Sequence, residues 1–84
     1  MVPMKRREKR EKRARRDAAE RLLDQSHSMD IYNILLVNTV VYWIRHSTDR
    51  VEDVALRGKR VLRGDVFACM QDTLNQFILD ATKS

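Results

Sequence analysis

The sequence predicts a small all-α domain, and three observations support that prediction. The chain has 84 residues, which is enough for one domain. Between Met4 and Arg57 it contains neither proline nor glycine, the residues that most often interrupt a helix. Over much of this span apolar residues recur at steps of three and four, which is the spacing of one helix face.

The first helix is predicted from about Lys5 to Asp24. Its early part, KRREKREKRARR, has no apolar face and is expected to be solvated, because every turn carries charged side chains. An apolar face follows at helical spacing and is formed by Ala14, Ala18, Leu22 and Leu23. We therefore divide the chain into a basic N-terminal arm, residues 1–15, and a folded domain, residues 16–84.

The second helix is predicted from about Asp30 to Leu56, as one element of about 27 residues. The polar stretch QSHSMD (25–30) precedes it, and Ser28 or Asp30 is the expected N-cap. Its first half, IYNILLVNTVVYWI, is apolar nearly all round, which is typical of a helix buried on several sides. Because so small a domain cannot bury so long a helix alone, we expect a second chain to cover the remainder.

The third helix is predicted to begin near Asp65, an acid that favours a helix start. Before it, Gly58 is expected to end the long helix as a left-handed cap, with Val61-Leu62 extended and Gly64 allowing a turn. The predicted apolar face of the third helix consists of Val66, Phe67, Met70, Leu74, Phe77, Ile78 and Ala81.

The charge is unevenly distributed along the chain. Residues 1–21 contain ten Lys/Arg and four Asp/Glu, whereas residues 22–84 contain seven and eight. A basic arm on a near-neutral domain indicates a polyanionic partner, most simply nucleic acid, bound through phosphates and therefore sensitive to salt. The predicted DNA contacts are Lys5, Arg6, Arg7, Lys9, Arg10, Lys12, Arg13, Arg15 and Arg16 in the arm, and Arg57, Lys59, Arg60 and Arg63 farther along.

The aromatic pair Tyr42-Trp43 suits either base stacking or packing between two chains, and packing is the favoured interpretation. A dimer interface is accordingly predicted on the second helix, the following loop and the start of the third helix. Its residues are Ile34, Val37, Val41, Trp43, Ile44, Val61, Leu62 and Phe67.

Several other classes of protein are disfavoured. The longest apolar run, residues 31–44, is too short to cross a bilayer, and the N-terminus lacks the apolar core of a secretory signal. His27, His46 and Cys69 are not at the spacing of metal ligands, and the sequence has no recognisable catalytic set or phosphate-binding glycine loop. We therefore expect no enzyme activity, cofactor or metal. The single Cys69 suits a reducing compartment and is expected to be a small buried residue.

The predicted order of short helix, loop, long central helix, basic loop and short helix resembles the histone fold. KRVL (59–62) resembles the second loop of that family, which forms a β-bridge with a partner, and QSHSMD resembles the first loop. Arg60 followed by Asp65 resembles the loop arginine and helix-start acid of the family. Within it, VNTVVYWIRHSTDRVEDVALRGKRVL is similar to the central helix and second loop of the CENP-W family of kinetochore subunits.

This resemblance implies an obligate heterodimer with another histone-fold chain of the CENP-T type, and assembly into a heterotetramer with further histone-fold chains. It also implies DNA binding without sequence preference and a nuclear location, at the centromere and kinetochore. Two alternatives remain open. LRGKRVLRGDV also resembles histone-fold subunits of TFIID- or SAGA-type coactivators, and a basic helix would suit a small structural RNA-binding subunit of a ribonucleoprotein.

Overall fold

A computed structural model describes residues 6–82, apart from the side chain of Val66, and the regular structure in this range is entirely helical. Helix α1 spans Arg6–Gln25, α2 spans Ile31–His46, α3 spans Val51–Val61 and α4 spans Ala68–Thr82, with a 3-10 turn at Asp65–Phe67 before α4. The all-α prediction is therefore confirmed. The three-helix pattern is wrong, since residues 6–82 form four α-helices.

The four helices enclose one hydrophobic core. Helix α1 packs against α2 and α4, and α3 packs against the same two helices, so α1 and α3 lie diagonally across the bundle. The α1 side of the core is built largely from alanine, whose small side chain lets helices approach closely. The buried apolar residues are Ala14, Ala18, Ala19, Leu22, Val37, Val40, Val41, Ile44, Val51, Val54, Ala55, Leu62, Phe67, Met70, Leu74, Phe77 and Ala81.

The predicted long central helix is divided in two, which corrects the histone-like pattern drawn from the sequence. Helix α2 ends at His46, and Ser47 is extended, with φ −70° and ψ 142°. The Ser47 hydroxyl accepts a hydrogen bond from the Asp49 N–H at 3.0 Å. Ser, Thr and Asp side chains compete for backbone hydrogen bonds in this way, so the run STD ends a helix without glycine or proline. Helices α2 and α3 then fold onto the same core.

The start of α2 follows the sequence prediction. Asp30 is its N-cap, and the Asp30 carboxylate accepts a hydrogen bond from the Asn33 N–H at 2.9 Å. The start of α3 carries Glu52 and Asp53 in its first turn, where negative charge stabilises the helix through its dipole.

Gly58 lies inside α3 and is buried, so its predicted role as a helix cap is wrong. A Cβ atom at this position would stand 3.0 Å from Cγ1 of Val40 and 3.3 Å from Cδ1 of Leu74. The missing side chain therefore lets α3 lie close to both α2 and α4. The prediction for Gly64 is confirmed, because this residue has φ 102° and turns the chain towards α4.

Val61 and Leu62 are not an extended bridge as predicted. Val61 is the last residue of α3, and Leu62 is its buried C-cap, with the Leu62 N–H donating to the Gly58 carbonyl at 2.8 Å. The Gln71 side-chain amide of α4 donates to the carbonyls of Leu62 and Lys59 and so satisfies the end of α3. The segment is therefore a helix terminus covered by α4 of the same chain.

Three further predictions concern the apolar helix faces, Cys69 and the boundary of the basic arm. The apolar face of α1 is confirmed, although Leu23 is only partly buried. Of the face predicted for the third helix, the residues buried in α4 are Met70, Leu74, Phe77 and Ala81, and Ile78 is partly buried. Phe67 is buried in the 3-10 turn before α4, and the side chain of Val66 lies outside the described part of the structure. Cys69 is exposed rather than buried, because it precedes the core position of Met70 and turns to the solvent side of α4. The boundary predicted between residues 15 and 16 falls inside the continuous helix α1.

The close packing at Gly58 predicts that Gly58→Val destabilises the protein by about 1–3 kcal/mol, because the new methyl groups meet Val40 and Leu74. Chemical denaturation followed by circular dichroism measures this change. Arg60→Val is the matched control, since it places the same β-branched residue at an exposed site of α3. Equal losses in the two variants would contradict the packing role.

Candidate nucleic-acid interface

The first half of α1 carries a row of basic side chains on its solvent side. Residues 6–16 contain eight Lys/Arg and two Asp/Glu. Four of the basic residues follow the i, i+3, i+4, i+7 spacing that places side chains on one helix face, and they line a single shallow groove. All four are exposed. We call this set the basic row: Lys9, Lys12, Arg13 and Arg16.

The acidic residues of this region lie beside the row. Glu11 is half-buried and forms an ion pair with Arg15 at 3.2 Å. Asp17 approaches Arg16 at 3.6 Å, and such an exposed pair contributes little free energy. Glu8 lies at the edge of the row and lines the next groove together with Glu11. The row therefore keeps an excess of positive charge, although Arg13 shares a groove with Asp17 and Asp80.

Arg15 has a structural position, although the sequence placed it among the DNA contacts. Its guanidinium donates to the Ile44 carbonyl at 2.5 Å and to the Asp49 carbonyl at 3.0 Å. It also pairs with Glu11, and only 13% of its side chain is exposed. Arg15 thus connects α1 to the end of α2 and to the loop before α3.

The other predicted basic residues of the arm divide among three places. Arg6 is exposed at the start of α1. Arg7 lines a cleft with Glu11, Arg50 and Glu52, where acidic groups offset its charge. Arg10 is half-buried in a groove that also contains Asp17 and Asp80. Lys5 lies outside the described residues.

The second predicted basic group, which we call the α3 cluster, consists of Arg57, Lys59, Arg60 and Arg63. Arg57 forms an ion pair with Asp49 at 3.1 Å, and its guanidinium carbon stands 5.4 Å from the centre of the Trp43 ring. Both contacts hold Arg57 against the protein. Lys59 is half-buried, whereas Arg60 and Arg63 are exposed.

The basic row and the α3 cluster are separate surfaces. They belong to diagonally placed helices. The first half of α1 shares a cleft with Val51 at the start of α3 and Ala81 at the end of α4. The α3 cluster, by contrast, lies at the end of α3, where Gln71 of α4 contacts the Lys59 carbonyl. The two sets therefore lie on diagonally placed helices, and Arg57 of the α3 cluster is linked to α1 through Asp49, whose backbone carbonyl accepts a hydrogen bond from Arg15.

The residues predicted to form a dimer interface are largely covered by the chain itself. Val37, Val41, Ile44, Leu62 and Phe67 are buried in the core. The other three, Ile34, Trp43 and Val61, are half-buried. The large apolar side chains that α2 does expose were absent from that prediction; they are Ile31, Tyr32, Leu35 and Tyr42.

Residues 6–82 contain neither a candidate metal site nor a candidate membrane span. In this part of the chain, His, Cys, Asp and Glu side chains form no group of three or more that would hold a metal ion. The helices described there are also too short or too polar to cross a membrane.

The position of Arg15 predicts that Arg15→Lys lowers the free energy of unfolding by about 1–2 kcal/mol, because an ammonium group cannot reach the Ile44 and Asp49 carbonyls together. Denaturation of Arg15→Lys measures this loss of stability. Arg16→Lys, at an exposed neighbouring position, is the control, and both substitutions keep the charge constant. A stability loss at Arg16 as large as at Arg15 would contradict this role.

Comparison of the chain with models of protein families, with curated proteins and with solved structures finds no match to any of them.

Proposed function

We propose that this protein binds the phosphate backbone of nucleic acid, with duplex DNA as the first candidate, along the basic row of α1. The observation that carries the proposal is the row itself: four exposed cations on one face of a helix whose other face is anchored in the core. A row of fixed cations of this kind attracts a polyanion and releases its counterions on binding.

The dimensions of the row suit a phosphate backbone. From Lys9 to Arg16 the helix rises about 10 Å. Phosphates of one DNA strand follow one another at about 3.4 Å along the axis, so the row spans about three of them. Lysine and arginine side chains contact phosphate oxygens, and such contacts fix position without reading sequence. Binding without sequence preference follows.

The rigidity of α1 supports the same function. The Arg15 contacts lie between Arg13 and Arg16, and Ala14 and Ala18 are buried on the opposite face. These contacts hold the backbone at Arg13 and Arg16, which lowers the entropic cost of binding at that end of the row.

We expect the α3 cluster to contribute less than the basic row to nucleic-acid binding. It lies on a helix diagonal to α1, and Arg57 is engaged with Asp49 and Trp43. The histone-fold, kinetochore and CENP-T-type partner predictions, together with the nuclear location, continue to rest on the sequence resemblance. The division of the central helix at Ser47 weakens that resemblance.

Replacing the four residues of the basic row with Gln tests the proposal. The dependence of duplex DNA affinity on salt concentration should lose about 3 units of slope, close to 0.9 for each of the roughly three phosphate contacts removed. The control replaces the four residues of the α3 cluster with Gln and removes the same charge. It should change the slope by less than about one unit. Equal effects of the two variants, or an unchanged slope for the row variant, would contradict the assignment.

The same titration distinguishes DNA from RNA. Competition between duplex DNA and a structured RNA of equal length compares the two polyanions on one surface. Preference for RNA would favour the ribonucleoprotein alternative, because A-form RNA is recognised through shape and backbone contacts. Failure of the wild-type protein to bind either polymer at low salt would favour a protein-binding role of the coactivator kind.

A further inference from the structure

The solvent side of α2 carries four large exposed apolar side chains. Ile31, Tyr32, Leu35 and Tyr42 are exposed by 72%, 68%, 57% and 64%, although they belong to a helix whose other side lies in the core. Asn38 and Thr39 occupy the middle of the same side and are exposed as well. We call these six residues the α2 outer face.

The composition of the α2 outer face argues against nucleic acid as its occupant. Residues 31–44 contain no charged side chain, so this stretch of helix offers no cation to a phosphate. Helix α1, which carries the basic row, packs against the other side of α2. Exposed aromatic and aliphatic side chains grouped in this way mark a surface for protein association.

We propose that the α2 outer face joins two copies of this chain in an antiparallel α2–α2 pair. The twofold axis passes between Asn38 and Thr39, at the middle of the face. A twofold interface uses the same patch of both copies, so the patch has to be complementary to itself. The sequence of α2 meets this condition.

The register about that axis places suitable partners opposite one another. Leu35 faces Tyr42 of the second copy, Asn38 faces Thr39 across the axis, and Ile31 faces His46, an exposed residue of the last turn of α2. Tyr32 faces Arg45, an exposed residue of the last turn of α2, and an arginine over a tyrosine ring is attractive. Antiparallel helices also align their dipoles favourably.

The area of the face suits a dimer of moderate affinity. Each aromatic side chain can bury about 150–250 Å², so at the exposures of its four large side chains the face offers at most about 500 Å² on each copy. The pair would bury at most about 1,000 Å², which is the lower limit for a specific interface. The net charge of +5 per chain opposes association, so added salt should strengthen the dimer while it weakens nucleic-acid binding.

Sedimentation equilibrium of the nuclease-treated full chain tests the pairing. The wild type should approach twice the monomer mass of 9.9 kDa as its concentration rises to about 100 µM. Leu35→Glu should raise the dissociation constant at least about tenfold, because a charge would enter the interface. Leu79→Glu is the matched control, since Leu79 of α4 is 60% exposed and lies outside the face. It should leave the dimer intact.

Disulfide trapping tests the register independently of affinity. In a Cys69→Ser background, Asn38→Cys should form an intermolecular disulfide on mild oxidation, whereas Asn75→Cys on the exposed side of α4 should not. A wild type that stays monomeric at about 100 µM would overturn the proposal. Equal dissociation by the Leu35 and Leu79 variants would do so as well. Binding of monomeric wild type to phosphatidylcholine vesicles, lost in Leu35→Glu, would assign the face to a membrane surface instead.

Discussion

The guanidinium of Arg15 joins three parts of the chain that are far apart in sequence. It donates to the Ile44 carbonyl near the end of α2 and to the Asp49 carbonyl, and the Asp49 carboxylate accepts a hydrogen bond from Arg57 of α3. The loop between α2 and α3 has neither glycine nor proline, so these contacts and the Ser47 turn fix its direction. Because α3 returns along α2 from this point, Gly58 can meet Val40, and α4 can close over the end of α3.

Helix α1 has two different faces. Its alanine face fills the core, and on the opposite face the like-charged side chains of the basic row repel one another. The repulsion is tolerable because exposed charges are screened and because Glu11 and Asp17 stand beside the row. The packed alanine face then contributes the stability that a row of like charges would otherwise remove from an isolated helix.

The helical class, the N-cap at Asp30, the turn at Gly64 and most core positions of α1 and α4 follow from local sequence rules. The break at Ser47 is signalled only by STD, and its direction depends on Arg15, which lies 29 residues away from Ile44. Gly58 was misplaced because a glycine near a predicted helix end suggests a cap, whereas close packing against Val40 and Leu74 is a tertiary property. The candidate basic residues were found by charge, but their separation into two surfaces depends on the diagonal arrangement of α1 and α3.

The bend at Ser47–Arg50 also determines whether the four helices of one bundle come from one chain or from two. If this loop opened and α2 continued into α3, α3 would leave α2 and α4 would be carried away from α1. Two opened chains could exchange α3 and α4 and rebuild both cores, which is domain swapping. The Arg15 contacts favour the closed chain, because they exist only while the loop is bent. The hydrogen bonds of Arg15 therefore favour a bundle formed by one chain over a bundle formed by two.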